Sequence, residues 1–416
     1  MSLLVNGPVN TVRLEGSVGS NKKVVYLFMD FHAPVCCQKK CPDIRATDVN
    51  TFLVEEFDRA KKSKPDQTFD FMFERSLFRP LHHKNKKLKY IGEIDDLFSK
   101  AFKLDIETNK AQKSDLVPNV RFHHVDVRDF INRISWNVYY DQIAWRINDI
   151  YHSLDYNQNQ LSALFYHIQV IQSEFATLYV LLYKNHNLFN PKIEKSLYSA
   201  HISKMHTLPE KDNYKLVQKL VYKLLVEYKH ESVKKIITEI INTEFHEIFI
   251  NFLNWIDDIL SFLTTEIDLL IKIGDHNLFE ILFQQSDRTY SYGMDQSEYW
   301  KKILKIYDIS NDLDNKIATT GLYLMDLYKL RRILDKDYVT NVISYAGASH
   351  SNNYIRLLIK YFGFKLTHYS YLKNNNIKET EKIVKSSKNL DDLNILFYPF
   401  VIGQCSDLSS FPKLFS

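Results

Sequence analysis

About 200 residues in the middle of the chain carry apolar residues at three- and four-residue steps, the spacing that places them on one face of a helix. This region runs from Phe130 to Lys336 and includes the stretch KIATTGLYLMDLYKLRRIL. It shows no fixed repeat of the kind that builds a solenoid. Glycine and proline are scarce, with 10 of each in 416 residues, which favours long helices over turn-rich β architecture. The middle of the chain is therefore predicted to be helical.

Both ends of the chain show a different pattern, in which short apolar runs alternate with stretches of helical spacing. In the N-terminal part these runs are KVVYLFMDFH, TFDFMFER and VRFHHVDVRD. In the C-terminal part, the run YVTNVISYAG leads into GASHSNN, which is typical of a turn with helix-capping residues. The helix pattern YIRLLIKYF follows and stops at Gly363. Strands separated by helices in this way are typical of parallel β-α-β units.

The two patterns together predict an α/β fold with a large all-α insertion. The N- and C-terminal segments are expected to build one mostly parallel sheet, because both contain strand and helix units. We place the boundaries at residues 1–129 for the N-terminal part of the α/β domain, 130–336 for the helical insertion and 337–416 for the C-terminal part.

The charge and the apolar segments argue against some classes of protein. The 54 basic and 50 acidic residues give a net charge of +4, which is too small to indicate a nucleic-acid partner by itself. The N-terminal residues lack the basic start and apolar core of a signal peptide. Acidic residues between Asp257 and Asp268 interrupt the most apolar helical stretch, which argues against a membrane span. A cytoplasmic location is expected.

The four cysteines lack the regular spacing of a disulfide-rich domain, and they are Cys36, Cys37, Cys41 and Cys405. The cluster CCQKKC lacks the Cys-x-x-Cys step that is usual in structural zinc sites, so a zinc site there is the weaker interpretation. We therefore expect reduced thiols in a reducing compartment.

Polar residues stand where the apolar runs of the predicted strands end. In open α/β sheets, ligands bind at the carboxyl ends of the parallel strands, because loops and helix N-termini meet there. Four strand ends of this chain carry such residues, and these are Asp30 and His32, Glu74 and Arg75, Asp126 and Arg128, and His350 following Gly347. We expect these side chains to line one crevice.

Two histidines and a carboxylate from separate strands are a common ligand set for a divalent metal that activates water for hydrolysis. His32, Glu74 and His350 would form that set, with zinc, manganese or cobalt as the candidate metals. Asp30 or Asp126 would then be a further ligand, a hydrogen-bond partner of a ligand or the catalytic base.

Two arginines at strand ends, Arg75 and Arg128, would bind an anionic group or orient the carboxylates. In a hydrolase, the candidate catalytic residues are thus Glu74, Asp30, Asp126 and Arg128. The alternative is that these polar residues only pair with one another at the rim of a sheet. Spacing in the sequence does not decide between the two.

The strand ends resemble those of a known family. The segment ISYAGASHSNNYIRLLIKYFGF is similar to the closing motif of the TraB/Tiki family, in which a strand ends in Gly-x-x-His before a helix and a Gly-aromatic step. YLFMDFH stands where the first strand of that family also ends in Gly-x-x-His, and FDFMFER where a later strand ends in glutamate. The wider grouping includes ChaN-type haem-binding proteins and erythromycin-esterase-like hydrolases, and its members often carry helical insertions.

Carried over to this chain, the resemblance implies that His32, Glu74 and His350 occupy metal-site or catalytic positions. It also implies that Gly347 lies in the turn that lets the last histidine approach. The chain departs from the family pattern at Met29, where the family has glycine. This departure supports the alternative hypothesis that the protein is inactive. The resemblance covers the two ends of the chain and not the helical middle.

Three hypotheses of function follow. The first is a divalent-metal-dependent hydrolase that acts on peptide or ester bonds, in a protein or in a small substrate. The second is an inactive structural or interaction protein that uses the helical insertion as a surface for a partner or a second copy of itself. The third, weaker one starts from the Asp-x-His at 30–32, which also opens metallophosphoesterase sites, although their Gly-Asn-His element is absent downstream.

The terminal segments and the FHHVDVRD strand also resemble uncharacterised proteins of large DNA viruses. The richness of the chain in lysine, asparagine and isoleucine suits an AT-rich genome of that kind. Association with a virion is therefore a second expected location.

Overall fold

The computed structural model of the chain divides into two compact units. The first unit comprises Met1–Asp129, Tyr228–Ile237 and Leu324–Ser416, and the second comprises Phe130–Glu227 and Thr238–Tyr323. The structure describes residues 3–33, 35–76, 89–103, 111–127, 136–184, 211–273, 298–387, 390–400 and 403–415.

The described part of the first unit contains nine strands in two sheets. The strands are β1 Leu4–Asn6, β2 Asn10–Val18, β3 Asn21–Asp30, β4 Thr47–Asp48, β5 Phe69–Ser76, β6 Val120–Asp126, β7 Asn341–Gly347, β8 Lys365–Tyr369 and β9 Cys405–Asp407. The larger sheet has the order β6-β5-β7-β3-β2-β8, and the smaller has the order β4-β1-β9. In the larger sheet, β7 from the C-terminal part of the chain lies between β3 and β5 from the N-terminal part.

The larger sheet is mixed. Strands β3, β7, β5 and β6 run parallel, whereas β2 is antiparallel to both of its neighbours, β3 and β8. The chain passes from β2 to β3 through two residues, one of which is Gly19 with a φ of +58°, and so short a connection joins only antiparallel strands. The predicted α/β class is confirmed, and a mixed sheet takes the place of the mostly parallel one that was expected.

Eleven α-helices occur in the described residues, with π-helical turns at Val180–Lys184 and Ile241–Phe245. They are α1 Val49–Ser63, α2 Lys89–Ala101, α3 Trp136–Ser153, α4 Gln158–Tyr179, α5 Lys211–Leu225, α6 Glu231–Ile240, α7 His246–Ile273, α8 Glu298–Leu334, α9 Ala348–Phe362, α10 Ile377–Ser386 and α11 Asp391–Phe397. The end of α8, from Leu324, belongs to the first unit. None of the helices that the structure describes is long and apolar enough to cross a membrane.

Aromatic side chains pack α1 and α2 of the first unit against its larger sheet. Phe57 of α1 and Phe98 of α2 are fully buried beside Phe71 of β5, with the ring centres of Phe71 and Phe98 4.6 Å apart. The ring of Phe122 on β6 lies 5.6 Å from that of Phe71. Burial of each such side chain stabilises the fold by about 2–3 kcal/mol. This packing holds β5 and β6 in position and thereby fixes where they end.

Helix α9 begins at Ala348, earlier than the sequence pattern predicts. The residues ASHSNN, which were predicted to lie in a turn, form the first turns of the helix. The prediction was wrong because the amide side chains of Asn352 and Asn353 find tertiary partners in Asn394 and Asp326. They therefore do not compete for the helix backbone, as asparagine does in isolation.

A disulfide joins Cys41 to Cys405 across a sequence separation of 364. The prediction of reduced thiols is therefore wrong for these two cysteines, whereas Cys36 and Cys37 are free and exposed. The two halves of the disulfide meet because β9, which begins at Cys405, pairs with β1, and Asn6 of β1 accepts a hydrogen bond from the backbone N–H of Cys41. Cysteine spacing carries no information on this pairing.

In the second unit, a buried carboxylate depends on one lysine. Glu266 is 4% exposed, accepts a hydrogen bond from the hydroxyl of Tyr156 at 3.0 Å, and has its Oε1 2.9 Å from Nζ of Lys302. Replacing Lys302 with methionine removes this cation, so we expect the free energy of unfolding to fall by about 3 kcal/mol in urea. The exposed neighbour Lys301 provides the control, since Lys301→Met should change it by less than about 0.5 kcal/mol. Equal unfolding midpoints for the parent and Lys302→Met would contradict the prediction.

Candidate functional site

Three neighbouring parallel strands end at one edge of the larger sheet and bring polar side chains together. β3 ends at Asp30 and β7 ends at Gly347, and these two residues are register partners. Glu74 lies near the end of β5, and His32 lies two residues beyond the end of β3. His350 lies in the first turn of α9, which directly follows β7. The side chains of His32, Glu74 and His350 meet at this edge.

The carboxylate of Glu74 lies between the two histidine rings. Its Oε2 is 3.6 Å from Nε2 of His32, and its Oε1 is 3.3 Å from Nε2 of His350. The backbone N–H of Gly347 donates to Oε2 at 2.5 Å, which puts the carboxylate at the N-terminus of α9, where the helix dipole favours negative charge. Burial opposes the ionisation of Glu74, but the two rings hold its pKa well below the usual range.

His32 is the one of these three side chains that solvent reaches. Its side chain is 34% exposed, and its backbone is left-handed, with a φ of +53°. The backbone N–H donates to Oδ1 of Asp30 at 3.0 Å, and Nδ1 of the ring lies 3.3 Å from Oδ2. Burial lowers the pKa of His32, but the contacts with Asp30 and Glu74 outweigh burial and raise the pKa to about 10. The negative neighbours thus stabilise positive charge on this ring.

His350 is held at its other ring nitrogen by a buried carboxylate that the sequence patterns did not reveal. Its Nδ1 lies 2.7 Å from Oδ1 of Asp326, and Asn353 donates to Oδ2 of that aspartate at 2.7 Å. Asp326 is fully buried. Burial disfavours charge on the ring, but Glu74 and Asp326 raise the pKa of His350 to about 9. The sequence signal for Asp326 is an acid inside the apolar stretch GLYLMDLYKL, because a buried acid needs a partner.

A buried lysine of α8, Lys329, was also missed. Its Nζ donates to Oγ of Ser344 on β7 at 2.5 Å and lies 3.8 Å from the centre of the Tyr354 ring. Lys329 is fully buried. Burial lowers its pKa to about 7, although the charges of Asp326 and Glu74 act in the opposite direction. This amine therefore gains and loses a proton near neutral pH inside the first unit.

Gly347 leaves the room that the site needs. A Cβ atom at this position would lie 2.9 Å from Nε2 of His32 and 3.2 Å from Oε2 of Glu74. The φ of Gly347 is −53°, which any residue adopts, so the requirement for glycine comes from space and not from the backbone conformation.

We expect Gly347→Ala to lower the free energy of unfolding by about 1–2 kcal/mol, because the added methyl group overpacks the site. Urea unfolding measures this change. Gly403→Ala is the matched control, since a Cβ atom there would meet nothing within 4 Å. The prediction fails if the two alanine variants are equally stable.

The remaining predicted residues are one aspartate on the neighbouring strand, two arginines whose side chains lie outside the described part of the chain, and Met29. Asp126 is the last residue of the outer strand β6, is buried, and has Ser76 as its register partner. Arg75 belongs to β5, but its side chain is outside the described part, and Arg128 lies outside the described residues altogether. Met29 is fully buried within β3, so extended strand continues through the position where the TraB/Tiki pattern has glycine.

The residue types at this site suit a metal ion, but their arrangement does not. Two imidazoles and a carboxylate suit zinc. Within the described residues, however, no group of three or more His, Cys, Asp or Glu side chains is arranged to hold a metal ion. Two different oxygens of Glu74 face the two rings. As placed, these side chains do not fit an ion, and the metal role of His32, Glu74 and His350 stays a prediction.

Comparison with known proteins places the chain in a family. Residues 3–416 match DUF5847, a family of unknown function. The chain belongs to DUF5847. No solved structure matches it.

Relatives of this DUF5847 chain occur in Acanthamoeba polyphaga mimivirus. The uncharacterised protein R160 is 31% identical over 428 residues, which are 99% of this chain and 97% of the relative. The uncharacterised protein R706 is 31% identical and covers 100% of this chain and 97% of its own length. R161, also uncharacterised, is 30% identical over 99% of this chain and 98% of its own. The predicted similarity to uncharacterised proteins of large DNA viruses is confirmed, and the resemblance to TraB/Tiki proteins stays a prediction.

Proposed function

We propose that this DUF5847 protein is a hydrolase that cleaves ester or peptide bonds at the sheet edge where His32, Glu74 and His350 meet. The observation that carries the proposal is the position of the Glu74 carboxylate between the Nε2 atoms of two histidines, at 3.6 and 3.3 Å. This edge holds the carboxyl ends of parallel strands, where ligands bind in α/β proteins. The resemblance of the same strand ends to TraB/Tiki proteins supports this class of bond.

We give the three side chains different parts in the reaction because they differ in exposure. His32 is 34% exposed, whereas the side chains of Glu74 and His350 are 6% and 5% exposed. His32 is thus the group that reaches the substrate. Because its pKa is raised to about 10, the ring is an imidazolium at neutral pH. It gives its proton to the leaving oxygen or nitrogen as that bond breaks, and the neutral ring that results takes a proton from the water that adds to the carbonyl carbon.

Glu74 and Asp30 support this transfer because they stabilise the imidazolium of His32 before the proton leaves it and after the proton is regained. His350 holds Glu74 from the other side, and Asp326 fixes the His350 ring so that its Nε2 faces the carboxylate. Buried polar groups that satisfy one another in this way are fixed in position, so His32 is oriented before the substrate binds.

The predicted divalent metal is part of the same test. The carboxylates that favour a proton on each ring also favour a metal cation near the rings, for the same electrostatic reason. The proton transfer described above requires only groups of the chain. Metal analysis of the purified protein, before and after incubation with zinc, manganese or cobalt, measures whether an ion binds and whether His32→Gln and His350→Gln abolish its binding.

The activity test uses p-nitrophenyl acetate and a set of fluorogenic peptides, with and without each of the three metals. We expect the parent to hydrolyse at least one of them and His32→Gln to lower kcat about 10²- to 10⁴-fold. His152→Gln, which replaces an exposed histidine of α3, is the matched control and should match the parent. Equal rates for the parent and His32→Gln, or no hydrolysis of any substrate with any metal, would refute the proposal.

A further inference from the structure

The loop that follows β3 carries His32 and is fastened to β9 near the C-terminal end of the chain. The Cys41–Cys405 disulfide makes one attachment. A backbone hydrogen bond from Gln404 to the carbonyl of Lys39, at 2.8 Å, makes a second. The conformation of the loop therefore depends on a segment that is distant in sequence.

The same segment reaches the carboxylate that positions His32. The side chain of Gln404 is 2% exposed, and its Nε2 lies 3.3 Å from Oδ1 of Asp30. That oxygen also accepts the hydrogen bond from the backbone N–H of His32 at 3.0 Å. Displacement of Gln404 would thus remove a donor from Asp30 and loosen the residue that orients the ring.

Strand β9 is also held by pairing with β1 and by the buried Ser406, whose hydroxyl donates to the carbonyl of Pro8 at 3.1 Å. The strand has three residues and pairs with the three residues of β1, where Asn6 is the register partner of Cys405. Gly7 donates a backbone hydrogen bond to the carbonyl of Gln404 at 2.9 Å. Strands this short pair weakly on their own. The disulfide, which closes a sequence separation of 364, therefore stabilises the attachment of the loop to β9.

Reductants can reach the disulfide. Cys41 and Cys405 are both half-buried and not fully buried. Cys41 also lines a cleft of about 410 Å³, together with Asn6 and Asp48. A small dithiol can therefore approach its sulfur from solvent.

We propose that the Cys41–Cys405 disulfide is a redox-controlled clamp that positions Asp30 and His32, and that a dithiol reductant releases it. A thiolate of the reductant attacks one sulfur, the S–S bond breaks, and the other cysteine leaves as a thiolate that takes up a proton. The second thiol of the reductant then displaces the first cysteine from the mixed disulfide. The reductant becomes a disulfide, and the protein gains two electrons and two protons.

The clamp is tested first without any substrate. Alkylation and mass spectrometry of the native protein should label Cys36 and Cys37 but not Cys41 or Cys405 until dithiothreitol is added. Hydrogen exchange in the loop after β3 should then accelerate at least about tenfold in the reduced parent. The Cys405→Ser variant should exchange at the same fast rate without reductant.

The control variant replaces both Cys36 and Cys37 with serine, which leaves the clamp intact and should exchange as slowly as the oxidised parent. Labelling of Cys41 and Cys405 before reduction would overturn the proposal. Loop exchange that stays slow in both the reduced parent and Cys405→Ser would also overturn it. Chemical reduction of the parent keeps the test valid if Cys405→Ser folds poorly.

The consequence for catalysis rests on the proposed hydrolase. Reduction should lower kcat on the order of 10- to 100-fold with little change in KM, because His32 is misplaced rather than removed. Reoxidation with oxidised glutathione should restore the rate, and Gln404→Ala should lower kcat while the disulfide stays intact. If no substrate is cleaved in either redox state while loop exchange responds to reduction, the hydrolase proposal fails and the clamp stands. A hydrolytic rate that is the same in both states overturns the positioning role of the clamp.

Discussion

Replacing Glu74 with glutamine is expected to lower kcat about 10³-fold, with KM changed by less than about threefold. Glutamine has nearly the same shape but no negative charge. The two histidines then lose the carboxylate that lies between their Nε2 atoms, at 3.6 and 3.3 Å. In the proposed reaction the substrate contacts His32 and not the buried Glu74, so the effect should fall on the proton transfer and not on binding. Steady-state kinetics on the best substrate of the parent separates the two parameters.

An independent measurement on the same variant is the titration of the histidine rings by NMR. The pKa of His32, raised to about 10, and that of His350, raised to about 9, should both fall when the charge of Glu74 is removed. Because these values exceed the ordinary value of 6.5, protonation of the rings stabilises the folded chain fully below pH 6.5. This stabilisation is lost as the pH rises through 9 to 10, and the loss should be smaller in Glu74→Gln.

The control for both experiments is Glu247→Gln, which replaces an exposed glutamate of α7 in the second unit. It should leave kcat and both histidine titrations as they are in the parent. If Glu74→Gln keeps the kcat of the parent while the two histidine pKa values fall, the electrostatic description of the site holds and its catalytic role does not. Unchanged histidine titrations would contradict the geometry itself.

The meeting of His32, Glu74 and His350 follows from local patterns that a sequence displays. An apolar run that stops at a polar residue marks the end of a strand, and parallel strands bring their ends to one edge of a sheet. Each of the three residues stands at or just after such an end. Only the order of the strands in the sheet, which decides whether these ends are neighbours, could not be predicted from these patterns. The end of α9 follows from an equally local signal, because Gly363 adopts a φ of +67°.

The residues that position these side chains could not be predicted, because they arrive through pairing over long distances. Asp326 and Lys329 stand in an unbroken helical pattern, and nothing in that periodicity shows that the end of α8 belongs to the first unit. Gln404 and Cys405 belong to or adjoin a three-residue strand, which is too short to give a periodic signal. The partner of Cys41 could not be predicted either, because it is determined by strand pairing and not by the spacing of the cysteines.

Replacing Lys329 with methionine is expected to change the pH dependence of the stability of the folded chain. Burial lowers the pKa of this lysine from 10.5 to about 7, although Asp326 and Glu74 raise it. Between these two values the unfolded chain holds a proton on this amine that the folded chain does not. The free energy of unfolding contributed by Lys329 therefore rises with pH across this window, by up to about 1.4 kcal/mol per pH unit.

Methionine has a similar length and no charge, so the variant lacks this contribution. The stability of Lys329→Met relative to the parent should therefore increase by about 3 kcal/mol as the pH falls from 10 to 7. Loss of the hydrogen bond to Ser344 lowers the stability of the variant at every pH and does not alter this trend. Urea unfolding of both proteins at pH 7, 8, 9 and 10 measures the difference directly.

The exposed lysine of α10, Lys382, supplies the control, because Lys382→Met should keep a constant difference from the parent at all four pH values. Titrating groups that do not interact with Lys329 cancel in each difference, since parent and variant share them. A flat difference for Lys329→Met would mean that Lys329 keeps its proton throughout this range in the folded chain. The amine would then be a permanent buried cation near Asp326 and Glu74, and its positive charge would help to stabilise these two carboxylates.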